Sequence, residues 1–455
     1  MRATLAQLLA AIPGARLVGA DAAFEGVSTD SRTAPAGALF VALKGEHFDA
    51  HDFLGQVAGR GVAAAVVHTV PNDWTLPAIV VPDTLVALGR IAHFWRAHFA
   101  IPVIGVTGSN GKTTVKEMIA SILAAAFGED ARLATQGNLN NEIGVPLTLF
   151  RLNGAQRAAV IEMGMNHPGE IARLAAIAAP TVAMVNNAQR EHQEFMHTVE
   201  AVARENGAVL AALPDHGVAV FPGDDTYTDL WRALARCEVL TFGLDAGCDV
   251  SARYASTGFG NALQVRARGE NFGVKLAAAG EHNVRNALAA IACTLAAGIP
   301  VEAIVRGLEN FAPVGGRLQR RQAANGATVI DDTYNANPDS MRAAIDVLAA
   351  YAPPRILVVG DMGEVGTQGK EFHEEIGAYA RQQGIEHVLA TGELARHMRA
   401  SGARHYEQFD ELLAALDQTL GGNTRATVLV KGSRFMKMER VVQHLTGQTI
   451  KKDAH

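Results

Sequence analysis

Short apolar runs of strand length recur along the chain. Each is followed by a polar or glycine-bearing turn and then by apolar residues at helical spacing. In the middle of the chain this pattern predicts strands over 103–107, 159–162, 181–185 and 217–221, and helices over 113–126, 169–178 and 198–213. Strands alternating with helices predict a parallel sheet, and such sheets bind ligands off the carboxyl ends of their strands. Towards the C-terminus, apolar runs at 329–330, 356–359, 387–389 and 427–430 repeat the pattern. The first hundred residues are patterned differently. Leu5, Leu8, Leu9 and Ile12 lie at helical spacing, which fits a short amphipathic helix better than a signal peptide. Strands follow at 38–43, 63–67 and 78–81, then a helix over 84–99.

A length of 455 residues accommodates about three such units. Proline-bearing turns at Pro102 and Pro313 divide them into 1–100, 101–313 and 314–455. The expected class is α/β in three domains: a small N-terminal α/β domain, a central parallel-sheet P-loop-type ATPase domain and a C-terminal Rossmann-like α/β domain. At 49% hydrophobic and 19% charged the chain reads as globular and soluble. A net charge of −6 with no basic run argues against a nucleic-acid partner. The apolar stretches at 174–185 and 287–301 are too short or too broken to cross a bilayer, so no membrane insertion is expected. Cys237, Cys248 and Cys293 have no paired spacing, which points to a reducing, cytoplasmic setting. Nothing in the charge pattern calls for more than a monomer.

One turn carries explicit chemistry. After the run 103–106 the chain reads Thr107-Gly108-Ser109-Asn110-Gly111-Lys112-Thr113-Thr114. A strand, a glycine turn and a helix point several backbone N–H groups and the positive helix end at one place, which suits a triphosphate. Lys112 adds a full charge, and Thr113 a hydroxyl suited to Mg²⁺. The general P-loop pattern places glycine where Val106 stands, and Gly105 is one position early. At neighbouring strand ends, Glu162 is a candidate metal ligand beside Thr113. His192 ranks below it, because a nitrogen ligand is unusual for so hard a cation. The polar segments 28–32 and 44–52, taken alone, read as solvated loops.

The octapeptide at 107–114 resembles the ATP loop of the Mur ligases. The resemblance extends through Asp30-Ser31-Arg32, the segment 138–144, Glu162-Met163-Gly164, His192, Glu281-His282-Asn283 with Asn286, Gly316-Arg317 and Lys431-Gly432-Ser433. Two further stretches, 332–338 and 360–366 with His373, resemble the member that adds D-alanyl-D-alanine to UDP-N-acetylmuramoyl-tripeptide. The resemblance implies an ATP- and Mg²⁺-dependent amide ligase that works through an acyl phosphate. Gly108, Ser109, Asn110, Gly111, Lys112, Thr113 and Thr114 would hold the triphosphate, with Thr113, Glu162 and His192 at the metal. Asn283 would face adenine, Arg317 the γ-phosphate and Asp332 the ribose. Ser31 and Arg32 would touch the uridine nucleotide, and Asn138, Asn140 and Asn141 the muramoyl-peptide. Tyr334, Asn335, Asn337 and Ser433 would help place the dipeptide.

Many family members carry a carbamylated lysine, yet this chain has no lysine between Lys116 and Lys275. Glu205 is either its substitute as a metal-site carboxylate or a plain solvated helix residue. The rival readings are a folylpolyglutamate-type ligase, a P-loop kinase and a nucleotide-binding module without ligase activity.

Overall fold

The computed structural model describes residues 1–191 and 193–448. Three main sheets follow one another along the chain. The first has five strands in the order Arg16–Val18, Ala78–Val80, Ala64–Val67, Leu39–Val41 and Val27–Ser28, and only its first pairing is antiparallel. Beside it, Arg2–Thr4 pairs with Ala23–Glu25. The opening helix is limited to Leu5–Leu9, because Arg2–Thr4 is taken into that small ribbon and Thr4 caps the helix.

The second sheet has nine strands. Val103–Thr107 lies between Ala158–Glu162 and Val182–Val185, with Arg132–Ala134 at one edge and Val218–Pro222 and Glu238–Gly243 on the other side. All of these pairings are parallel. The far edge departs from the pattern expected of the sequence. Val250–Ser256, Asn261–Ala267 and Glu270–Leu276 form an antiparallel meander. Its strands alternate buried and exposed residues over much of their length, as a sheet with one solvated face does.

The central strands are buried on both faces, so both alternating sets are apolar. Ile104, Val106 and Val160 pack into one core with the helices Lys112–Phe127, Glu281–Ala296 and Val301–Glu309. Val103, Ala159 and Ile161 pack into the other with Gly144–Leu149, Glu170–Ala178 and Val199–Ala211. Arg96, at the end of the helix Thr84–Arg96, is buried against this second core. Its guanidinium donates to the carbonyls of Ala178, Ala179, Phe99 and Ile101, and so meets the negative end of the helix Glu170–Ala178.

The third sheet runs Gln319–Gln322, Thr328–Asp332, Thr427–Lys431, Arg355–Val359, His387–Thr391 and Arg404–Tyr406. Every pairing after the first is parallel. Helices cover both faces. The molecule is thus α/β, with a parallel phosphate-loop sheet in the middle and a doubly covered parallel sheet at the C-terminal end.

Candidate active site

Three neighbouring parallel strands of the central sheet end together. Glu162 pairs in register with Val106, and Val185 with Thr107. The chain leaves Val103–Thr107 for strands on one side, then crosses to Val182–Val185 on the other, so a crevice opens at this reversal. The loop 108–111 fills it. Gly108 has φ +132° and Gly111 φ +83°, values that side chains strongly disfavour. A Cβ on Gly111 would also collide with the amides of Asn186 and Asn286.

Side chains from three distant segments hold the loop. The Asn206 carbonyl accepts from Thr107 Oγ1 (2.6 Å) and from the Gly108 N–H (3.1 Å). Asn187 Oδ1 accepts from the Asn110 N–H, and Asn186 Nδ2 donates to the Asn110 carbonyl. Asn186 Nδ2 also reaches Asn286 Oδ1, and Asn286 Nδ2 reaches Asn283 Oδ1, so the amides form one chain from loop to helix. Gly111 caps the helix Lys112–Phe127 without a side chain, which leaves its first N–H groups facing the cleft. Lys112 Nζ donates to the carbonyls of Gly108 (2.5 Å) and Ser109 (3.1 Å) and lies 3.4 Å from Glu191 Oε2.

Glu162 is only 2% exposed. Its Oε1 accepts from Thr113 Oγ1 (3.2 Å) and Asn140 Nδ2 (2.9 Å), while its Oε2 is buried with no hydrogen-bond partner among the described residues. Across the cleft stand the carboxyl ends of the third sheet. Asp332 and Lys431 are in register on adjacent parallel strands and form an ion pair at 2.6 Å, almost wholly buried. The Arg317 guanidinium lies 4.2 Å from the Tyr334 ring centroid. Together these elements enclose a cavity of about 810 Å³, lined from both sheets. The opposed ends suit an anionic ligand on one wall and a second reactant on the other.

Models of the Mur ligase middle domain, the Mur ligase glutamate ligase domain and the Mur ligase family catalytic domain match residues 106–294, 316–434 and 23–96. The chain is 40% identical over 447 residues to the UDP-N-acetylmuramoyl-tripeptide–D-alanyl-D-alanine ligase of Escherichia coli strain K12, covering 97% of this chain and 98% of that one. The chain belongs to the Mur ligase family. Among solved structures it superposes on a crystal structure of MurF from Acinetobacter baumannii with a TM-score of 0.92, at 35% identity over 98% of this chain and 99% of the other. It superposes on MurF from Thermotoga maritima in complex with ADP with a TM-score of 0.84, at 28% identity over 92% of this chain and 97% of the other.

In this Mur ligase the residues singled out from sequence fall into two groups. Ser109, Asn110, Gly111, Lys112, Thr113, Thr114, Asn138, Asn140, Asn141, Glu162, Asn283, Arg317, Asp332, Tyr334, Asn335 and Asn337 all line the one cleft. Gly108 is not a lining residue and opens the loop with its positive φ. Asn141 is partly committed, since its Oδ1 accepts from the N–H groups of Ile143 and Gly144. Ser31 and Arg32 do not line the cleft: Ser31 is buried in the first domain, and exposed Arg32 forks onto Asp30. That contact holds the Asp30 carboxyl down to about 2. Ser433 is turned inward, where its Oγ accepts from the Gly363 N–H (2.5 Å) and donates to the Ala336 carbonyl (3.2 Å), so it ties two cleft loops together. His192 lies outside the described residues.

Glu205 makes its contacts away from the cleft. Its two carboxylate oxygens accept from the N–H groups of Gly169 (2.8 Å) and Ile171 (2.9 Å), at the start of the helix Glu170–Ala178. It is a helix-capping anion, engaged through both oxygens, and not a lining residue of the cleft.

Asn206 was not anticipated. It is fully buried, and it falls on the same face of its helix as Val202, Ala203, Val209 and Leu210. A polar residue on the apolar face of a helix was the available signal. Lys431 was read only as part of a matching segment, because its partner Asp332 is 99 residues away.

Proposed function

We propose that this chain joins D-alanyl-D-alanine to UDP-N-acetylmuramoyl-tripeptide, driven by conversion of ATP to ADP and phosphate, and so makes the pentapeptide precursor of peptidoglycan. The observation that carries the reading is the single cleft into which the phosphate loop and the third-domain loops 332–337 and 363–364 both open, in a chain so similar end to end to the Escherichia coli ligase.

The three domains take separate tasks. The first, with Ser31 and Arg32, receives the uridine nucleotide. Asn138, Asn140 and Asn141 lie along the muramoyl-peptide, which brings its terminal carboxylate to the cleft. Gly108 to Thr114 take the triphosphate of ATP through backbone N–H groups and the helix end. Asn283 faces adenine and Asp332 the ribose. The Asp332 oxygens already accept from Lys431 and the Leu318 N–H, yet each retains capacity for a hydroxyl donor. Tyr334, Asn335 and Asn337 help place the dipeptide, with Ser433 acting through the loops it ties.

Mg²⁺ fits the residues at the loop. The donors of Thr113 and Glu162 are oxygens, as this cation prefers, and the buried Glu162 Oε2, without a hydrogen-bond partner among the described residues, is the atom such an ion would satisfy. Thr113 and Glu162 would hold it, with His192 as a further candidate. When bound, the ion supplies charge neutralisation at the phosphates.

A carboxylate is a poor acyl donor because its oxygen leaves badly. An oxygen of the tripeptide carboxylate attacks the γ-phosphorus, ADP departs, and the carboxylate becomes an acyl phosphate. Lys112 and Arg317 stabilise the charge that develops on the transferring group. The free amine of the dipeptide then attacks the acyl carbon, phosphate leaves, and an amide results. No protein nucleophile is needed; positioning and charge do the work. Nucleotide substrates on both sides fit a cytoplasmic enzyme, and a monomer suffices because one chain lines the whole cleft.

A phosphate-release assay tests the reading. Full-rate release should require UDP-muramoyl-tripeptide and D-alanyl-D-alanine together. Full-rate release with either alone would sink the ligase assignment and favour a kinase.

A further inference from the structure

The segment 189–191 touches both sides of the cleft at once. On the central side, Gln189 N–H donates to Ser109 Oγ (2.8 Å), Gln189 Oε1 accepts from Asn110 Nδ2 (2.6 Å), and Glu191 lies beside Lys112. Arg190, between them, points the other way, into the third domain. Its backbone N–H donates to Asp339 Oδ2 (2.8 Å), and its guanidinium donates to Asp339 Oδ1 (2.7 Å) and to Glu375 Oε2 (2.7 Å) and Oε1 (3.1 Å). Arg342 completes the set with a bond to Glu375 Oε1 (2.9 Å), so two cations face two carboxylates. The Arg190 guanidinium also lies 5.3 Å from the Phe372 ring centroid. The two carboxylates belong to separate third-domain helices, Pro338–Ala349 and Gly369–Gln382.

From this geometry we infer that Arg190 is a positioning residue: it latches the third domain onto the segment that aligns Asn110 and Lys112, so that domain closure and alignment of the phosphate loop are one event. The inference rests on the ligase reading for its kinetic consequence, while the contact itself does not. Three features support it. The pair is a fork-to-carboxylate contact, which fixes orientation as well as distance. It is partly shielded, with side-chain exposures of 24% for Arg190, 23% for Asp339 and 33% for Glu375, so it is less screened than a surface pair. The segment it grips has no slack, because residues 189 and 191 on either side are already bonded to the loop. Nucleotide can bind the central domain before closure, whereas chemistry needs the closed arrangement.

The test compares wild type with Arg190→Met and Arg190→Lys in the full chain. Arg190→Met should lower kcat about 10- to 100-fold, the scale set by small misplacements of reacting groups. Direct ADP binding, followed by calorimetry, should change less than about threefold, since the loop backbone and Lys112 remain. Arg190→Lys keeps the charge without the fork and should recover only part of the rate. Small-angle scattering should show a larger radius of gyration for Arg190→Met than for wild type, a readout independent of ligase activity. Unchanged kcat with unchanged scattering would overturn the inference. So would a loss of ADP affinity as large as the loss of kcat, which would mean that Arg190 only holds the loop in shape. Should wild type itself form no product, the ligase reading fails, and the scattering comparison still decides whether the latch exists.

Discussion

Asn110 and Asn337 exchange hydrogen bonds across the cleft. Asn337 Nδ2 donates to Asn110 Oδ1 at 2.9 Å, and Asn110 Nδ2 donates to Asn337 Oδ1 at 3.3 Å. One amide belongs to the phosphate loop, and the other caps the helix Pro338–Ala349, where its Oδ1 also accepts from the Ser340 N–H. The two jobs of Asn337 can be separated. Asn337→Ala should cost about 1 kcal/mol of third-domain stability through the lost cap, read by urea unfolding. Asn337→Asp keeps a capping acceptor but has no N–H for Asn110. It should leave stability within a few tenths of a kcal/mol and still slow turnover about 10-fold or more through misplacement of the loop. Wild-type turnover by the aspartate variant would show that the amide pair does not position the loop.

Lys112→Ala removes the one full positive charge that the loop brings to its own carbonyls. Turnover should fall by at least ~10²-fold, the usual scale for losing one preorganised charge stabiliser. Stability should change little, since Lys112 is the first residue of its helix and its neighbours in the core are untouched. The measurement is kcat under saturating substrates beside an unfolding curve. A variant with the wild-type rate would remove Lys112 from the chemistry.

What could be read from the sequence was local. Gly108, Gly111, Lys112 and Thr113 are demanded by a strand-turn-helix that spans about a dozen residues, and backbone geometry limits which residue types serve there. The parallel strands were legible because burial on both faces makes them continuously apolar, as residues 158–161 and Val182–Val185 are. The contacts that finish the site were not legible, because they depend on register between distant segments. Asp332 meets Lys431 only because two strands far apart in the chain pair in parallel. Asn206 reaches Thr107 only once its helix is packed on the sheet. The contacts of Glu205 were hidden for the same reason: its carboxylate faces the N-terminus of another helix only once the two helices pack. No element is predicted over 250–276, so the meander at the sheet edge is seen only in the structure.

Glu205→Gln separates the metal role from the capping role. Glutamine can accept one of the two N–H bonds from Gly169 and Ile171 through its carbonyl, but its NH₂ would face the other donor. Stability should fall by about 1 kcal/mol, and the Mg²⁺ concentration that gives half-maximal rate should not move. The check is a Mg²⁺ titration of the rate beside a urea unfolding curve. A rightward shift of the titration with unchanged stability would restore Glu205 to the metal site.

His373 makes the third domain sensitive to acid. The ring is fully buried in the helix Gly369–Gln382. Its Nε2 accepts from the Met362 N–H (3.0 Å), and because that donor is fixed, the proton must sit on Nδ1, which donates to the Gly369 carbonyl (2.5 Å). The folded site therefore holds the neutral ring, and burial pushes its pKa below the ordinary value, against the opposing pull of the Gly369 carbonyl. An unfolded histidine titrates near ~6.5. A base with a depressed folded pKa binds fewer protons folded than unfolded, so its share of stability is complete above ~6.5 and drains away as pH falls from there towards the folded value. The slope is at most about 1.4 kcal/mol per pH unit. Between pH 6.5 and 5.5, wild type should lose more stability than His373→Gln, in which nothing titrates at this position, by an amount that cannot exceed about 1 kcal/mol. Urea midpoints at several pH values give the comparison, and the carboxylates common to both chains cancel in the difference. Gly363 and Glu364, on the loop that His373 holds through Met362, line the cleft, so turnover should weaken over the same acid range. Parallel pH profiles for the two proteins would assign the acid sensitivity to another group.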